Sequence, residues 1–169
     1  MPIRVLVEAR PGAGKTTAFR RLAELLQEAG APVSGFTTEE VRERGRRVGF
    51  AVESLSGERG TLAHVSFEGP PRVSRYGVDL EEFERIALPS LGGEIVLIDE
   101  LGKMELASER FQAAVEQLVE SPVALAATVQ AGKHPFTDRL KDSCELIRLT
   151  RANRDELPSQ LARRLREAV

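Results

Sequence analysis

Tryptophan is absent from this chain of 169 residues, tyrosine occurs once, and aromatic side chains make up only 5% of it. A platform that stacks the bases of a single strand needs several exposed rings, so that function is not expected. A formal net charge of −2 and a pI near 5.8 supply no basic field for a polyanion, and no nucleic-acid partner is expected. The single cysteine, Cys144, excludes an intramolecular disulfide and fits a reducing, cytoplasmic setting. His64 and His134 lie outside any metal-ligand spacing, which argues against a transition-metal centre. The longest apolar runs, residues 95–98 and 123–129, fall far short of the roughly 20 residues that span a bilayer, so no membrane association is expected. A first strand expected at residues 3–7 leaves no room for a cleavable leader. Lysine is scarce too. Only Lys15, Lys103, Lys133 and Lys141 stand against twenty arginines, which makes each lysine worth placing.

The most informative segment is Ala9-Arg10-Pro11-Gly12-Ala13-Gly14-Lys15-Thr16-Thr17. It follows an apolar strand pattern and opens a helical one, the order of a phosphate-binding P-loop. Gly12 and Gly14 allow the backbone to curl so that N–H groups converge on an anion, and the helix start adds partial positive charge. Lys15 is placed to reach the β- and γ-phosphates, and the Thr16 hydroxyl to ligate Mg²⁺. Ala9 stands where G-x-x-x-x-G-K-[ST] begins with glycine; with φ negative it can follow a strand without strain.

Strand and helix patterns then alternate along the chain. A helix is expected at residues 16–28, strands at 33–37, 48–55 and 61–67, and a short helix capped by Asp79. Another strand at 95–98 leads to a helix from about Ser108 to Glu120, followed by a strand at 123–129 and a short helix near 137–141. A strand at 145–149 and a helix at 154–168 complete the order. Continuous apolar strands between helices predict a three-layer α/β fold with a mainly parallel sheet. The whole chain, 1–169, reads as one domain, in which residues 33–88 form a small antiparallel β and helical insertion that covers substrate.

Ile95-Val-Leu-Ile-Asp99-Glu100 delivers two adjacent carboxylates at a strand end. In P-loop proteins the first aspartate of such a strand holds Mg²⁺, directly or through water, so Asp99 joins Thr16 as a metal ligand. Neighbouring side chains diverge at a strand end, which leaves Glu100 to polarise the attacking water. Asp99-Glu100-Leu101-Gly102 also fits the D-x-x-G element of regulatory GTPases, although no N-K-x-D guanine reader occurs. The strand at 123–129 is expected beside the first strand, which brings Thr128 or Gln130 to the γ-phosphate. Arg42 and Arg139 are candidate arginine fingers. Lys103 is a candidate phosphate contact or a lock on the Asp99 loop. Asn153 can read base edges, or form a capping box with Glu156 at the start of the final helix.

With Ile98-Asp-Glu-Leu-Gly-Lys-Met-Glu-Leu106 added to the glycine-rich loop, the sequence closely resembles the cancer-related nucleoside-triphosphatase family, first known from thermophiles. The resemblance extends over almost the whole chain, through Gly35-Phe-Thr-Thr-Glu-Glu-Val-Arg42, Arg47-Val-Gly-Phe50, Tyr76-Gly-Val-Asp79 and Thr150-Arg-Ala-Asn-Arg-Asp155. It implies a monomeric or weakly associating, Mg²⁺-dependent enzyme. Such an enzyme slowly hydrolyses several nucleoside 5′-triphosphates (ATP, GTP, CTP, UTP) to diphosphate and phosphate. The rival expectations are a small-molecule kinase, with residues 33–88 holding the acceptor, and a nucleotide-dependent binding switch.

Overall fold

The structure is a computed structural model that describes residues 2–169. Nine strands join in one sheet, and its centre is parallel. In space β2 (Val33–Glu43), β7 (Ile95–Asp99), β8 (Ala124–Gln130), β1 (Arg4–Ala9) and β9 (Glu145–Arg148) follow one another with all neighbours parallel. Strand period two sorts their side chains onto two faces. Val5, Val7, Ile95, Leu97, Ala124 and Ala126 pack on one face, under α1 (Lys15–Glu28) and α5 (Leu157–Glu167). Leu6, Val96, Ile98, Leu125 and Ala127 pack on the other, under α2 (Leu80–Ala87), α3 (Glu109–Glu120) and α4 (Pro135–Lys141). Every residue of β7 is buried. Apolar runs without polar alternation were legible as strands because this sheet is covered on both sides.

The antiparallel strands are an extension of the same sheet, not a separate layer. Strand β2 is longer than its sequence pattern and belongs to both halves. Residues Val33 to Thr37 pair in parallel with β7, and Phe36 to Glu43 pair antiparallel with β3 (Arg46–Ser54). The hairpin turns at Arg44 and Gly45, both with positive φ (51° and 78°), as a two-residue turn between twisted strands requires. Beyond β3 lie β4 (Arg59–His64), β6 (Tyr76–Val78) and β5 (Arg72–Val73). The β5–β6 hairpin escapes sequence reading because strands of two and three residues are too short to show a period. Phe36, Phe83 and Phe111 meet edge to face at centroid distances of 5.5, 5.6 and 5.1 Å, fastening β2 to α2 and α3.

The Asp79 cap read from the sequence forms, and Ser108, expected only as the approximate start of its helix, caps α3 in the same way. Asp79 accepts from the Glu82 N–H, and Ser108 from the Phe111 N–H. The capping box at Asn153 and Glu156 does not form. Helix α5 starts at Leu157 with Glu156 as an N-cap that makes no side-chain bond.

Candidate active site

Strand β1 ends at Ala9, whose φ is not among the positive values, so this alanine closes the strand as an ordinary residue. The chain then curls through Gly12 (φ 80°) and Gly14 (φ 94°), left-handed positions that a Cβ would strain. The Ala13 N–H bonds back to the Arg10 carbonyl at 3.1 Å. Gly14 caps α1 without any side-chain acceptor, which leaves the first-turn N–H groups facing outward beside Lys15, Thr16 and Thr17. Such a concave set of donors at a helix start accepts an anion.

Two strands away, β7 ends at the same edge of the sheet. Asp99 is 1% exposed. Its Oδ1 accepts from the Thr128 hydroxyl at 2.8 Å, and its backbone carbonyl accepts from the Thr38 hydroxyl at 3.0 Å. Oδ2 is buried without a hydrogen-bond partner among the described residues. Burial pushes the Asp99 carboxyl up to about 6, against the opposing pull of Thr128 and the nearby Lys15 charge. The Asp99–Glu100 peptide is cis. Glu100 turns into the cleft, where Oε2 forms an ion pair with Lys15 Nζ and Oε1 accepts from Gln130 Nε2 at 3.3 Å.

These groups border one cavity of about 500 Å³. Of the site residues named from sequence, Ala9, Arg10, Pro11, Gly12, Gly14, Lys15, Thr16, Thr17, Asp99 and Glu100 line it, as do Lys103 and Gln130. Ala13 packs instead against the α1–α5 face of the sheet. Leu101 is a core residue whose N–H donates to the Thr128 carbonyl at 2.9 Å. Gly102 lies beneath the acids: a Cβ there would sit 3.0 Å from Glu105 Oε1 and 3.2 Å from Glu100 Oε1. Thr128 supports Asp99 from behind and is fully buried.

Three of the expected residues are held away from the cavity. Arg42 is not in the cavity; its guanidinium is held at the hairpin tip by Glu40 and the Gly45 carbonyl. Arg139 pairs with Glu116 and lies over Phe136, bordering a different cavity of about 390 Å³. Asn153 uses its amide on its own loop. Oδ1 accepts from the Thr150 N–H and Nδ2 donates to the Arg148 carbonyl, both at 2.8 Å, so both ends of the amide are engaged within the loop and it does not cap α5.

Other residues enter that sequence reasoning did not select. Arg47 lines the cavity in place of Arg42 because Tyr76 accepts from its Nε at 2.9 Å, while Glu40 holds the other end. Nothing in the spacing separates the two arginines; the discriminating group sits on β6. Phe50 lies beneath the Arg47 guanidinium at 5.5 Å from the ring centroid. Glu105, 3% exposed, borders the same cavity. Desolvation and the neighbouring Glu100 charge hold its carboxyl well above the ordinary 4.5. Its place in the Lys103-Met104-Glu105 string was the available signal, but sequence cannot show that it is buried.

The sheet order, with helices on both faces and the glycine-rich loop opposite two carboxylates, defines the three-layer α/β fold of P-loop nucleoside-triphosphatases. Comparison with known proteins narrows this. The chain matches the family described as NTPase over residues 4–162. It is 40% identical over 166 residues to the nucleoside-triphosphatase THEP1 of Thermotoga petrophila, covering 94% of this chain and 90% of that protein. It is 46% identical over 136 residues to the human cancer-related nucleoside-triphosphatase, with 72% of each covered. The crystal structure of THEP1 from Aquifex aeolicus superposes with a TM-score of 0.83 at 31% identity, covering 98% of this chain and 99% of the other. The solution structure of a human cancer-related nucleoside triphosphatase gives 0.83 at 37% identity, with 99% of each chain covered. The chain belongs to this nucleoside-triphosphatase family.

Proposed function

We propose that the protein hydrolyses nucleoside 5′-triphosphates to diphosphate and phosphate, with Mg²⁺, broad base selectivity and slow turnover. The observation that carries this reading is Glu100, directed at Lys15 and Gln130 across the cleft from the glycine-rich loop. The amides of the loop and of the first turn of α1 bind the phosphate chain. Lys15 leaves Glu100 for the β- and γ-phosphate oxygens. Freed of that cation, Glu100 accepts a proton from a water held with Gln130. The water oxygen bonds to the γ-phosphorus as the bond to the β,γ-bridging oxygen breaks, and the diphosphate carries that oxygen away.

The residues present suit a magnesium ion. The buried Oδ2 of Asp99 lacks a partner, and the Thr16 hydroxyl borders the same cavity. A hard cation with few protein oxygens and the remainder from phosphate and water matches this donor set. When bound, Mg²⁺ supplies charge neutralisation on the β- and γ-phosphates.

The names of the relatives support hydrolysis over the kinase and switch readings. Phosphate release without any added acceptor is the corresponding outcome in solution. No helix among the described residues is long and apolar enough to cross a membrane. The half-buried free Cys144 fits the cytoplasm.

Glu100→Gln tests the assignment. It removes the base and also releases Lys15, so turnover should fall by roughly 10²–10⁴-fold while Mg·ATP binds at least as tightly as to wild type. Phosphate release at near wild-type rate by this variant would remove Glu100 from the chemistry.

A further inference from the structure

The structure leaves the nucleoside without the reader that the sequence offered, because both ends of the Asn153 amide are bonded within residues 148–153. Those bonds build something else. With the Arg154 N–H donating to the Thr150 carbonyl at 3.0 Å and the Leu157 N–H to the Asn153 carbonyl at 2.9 Å, they tie the β9–α5 loop into a tight turn. That turn lays Arg154 against the glycine-rich loop: a Cβ on Gly14 would lie 3.6 Å from Arg154 Cδ and 3.9 Å from Nη1. Arg164, further along the chain on α5, is fastened to Glu145, whereas Arg154 has no carboxylate partner among the described residues.

Sheet order says which end of a nucleotide this is. Strand β1, which carries the loop, has β8 and then β7 on one side and β9 on the other. Gln130, Asp99 and Glu100 come from β8 and β7, so the γ-phosphate lies on that side, within reach of Lys15. The phosphate chain therefore runs back along the loop, and its nucleoside emerges on the β9 side, beside Arg154.

We propose that the guanidinium plane of Arg154 is the platform on which the nucleoside base stacks. The inference rests on the proposed nucleotide hydrolysis and names how that site holds a base. A planar cation accepts the π-face of any base and reads no edge. The ligand class is thus purine and pyrimidine nucleotides alike, which gives broad base selectivity a physical origin in one side chain.

The test is calorimetric binding of ADP, GDP, CDP and UDP, alongside ribose 5-diphosphate, which carries no base. Wild type should bind the four nucleotides within a few-fold of one another and about tenfold tighter than ribose 5-diphosphate, within the range that base stacking contributes. Arg154→Ala and Arg154→Lys should both lose that tenfold, Lys because it keeps the charge without the plane. Both should retain the affinity for ribose 5-diphosphate, which also shows that the variants are folded. The proposal is overturned if ribose 5-diphosphate weakens by the same factor, because Arg154 then contacts only phosphate. It is also overturned if a single base is affected, if the lysine variant is fully active in binding, or if neither variant changes anything. Failure of wild type to bind any of the five would instead remove the nucleotide reading itself.

Discussion

Glu105 is a carboxylic acid placed among core residues, next to a second acid that faces the cleft. Gly102 makes this proximity possible, since even a methyl group there would press on both Glu105 and Glu100. Desolvation first, then the Glu100 charge, holds Glu105 protonated far above its ordinary 4.5. An unfolded chain gives up that proton near the ordinary value. Between the two values the folded state binds the extra proton, so its stability falls as pH rises. Glu105→Gln keeps the shape and cannot ionise. In urea unfolding without divalent cation, the stability of this variant relative to wild type should therefore increase from about pH 5 upward. A difference that does not change with pH would show that Glu105 is not held protonated. The Lys15–Glu100 pair works in the opposite sense on binding. It satisfies both charges before nucleotide arrives and has to open when Lys15 turns to phosphate, which is why Glu100→Gln is expected to bind without loss.

At the scale of elements, β2 joins the parallel half of the sheet to the antiparallel half, and Gly35 sets how closely it approaches β7. Its φ is 122°, and a Cβ would overlap the Leu97 carbonyl. Backbone on a central strand cannot step aside without breaking the ladder. Gly35→Ala should cost about 3 kcal/mol or more, or prevent folding altogether. Gly45 offers the contrast: φ is 78°, but the space around it is open. Gly45→Ala meets only the left-handed penalty of about 1–2 kcal/mol. Denaturant midpoints of the two variants decide this, and equal costs would mean that the β2–β7 approach is not limiting. The position of β2 also explains why residues 33–88 resembled an insertion in sequence. Their hairpins alternate in the antiparallel manner, yet β2 starts inside the parallel sheet, so the cleft-lining Thr38, Glu39 and Glu40 follow directly from a strand anchored beside Asp99.

For the whole molecule, helices cover both faces of the parallel half of the sheet, and few large hydrophobic side chains are exposed among the described residues. Among the described residues the exposed large hydrophobic side chains are Val65, Leu146 and Val169; Leu146 is on β9, Val65 follows β4 and Val169 follows α5. A stable dimer needs roughly 800 Å² from each partner around an apolar centre. Light scattering should therefore give a monomer of 18.5 kDa; a concentration-independent dimer would contradict this. Sequence by itself determined what local chemistry dictates: the glycine-rich curl between β1 and α1, the buried strand that delivers Asp99 and Glu100, and the cap at Asp79. Each of these depends on residues adjacent along the chain, where spacing and backbone preference suffice. Tertiary structure alone decided which arginine enters the cleft, because Tyr76 on a three-residue strand selects Arg47 over Arg42. It decided that Asn153 shapes a loop that presents Arg154, and that Glu105 is buried beside Glu100. These depend on partners far apart in sequence, and only the packed sheet brings such partners within bonding distance.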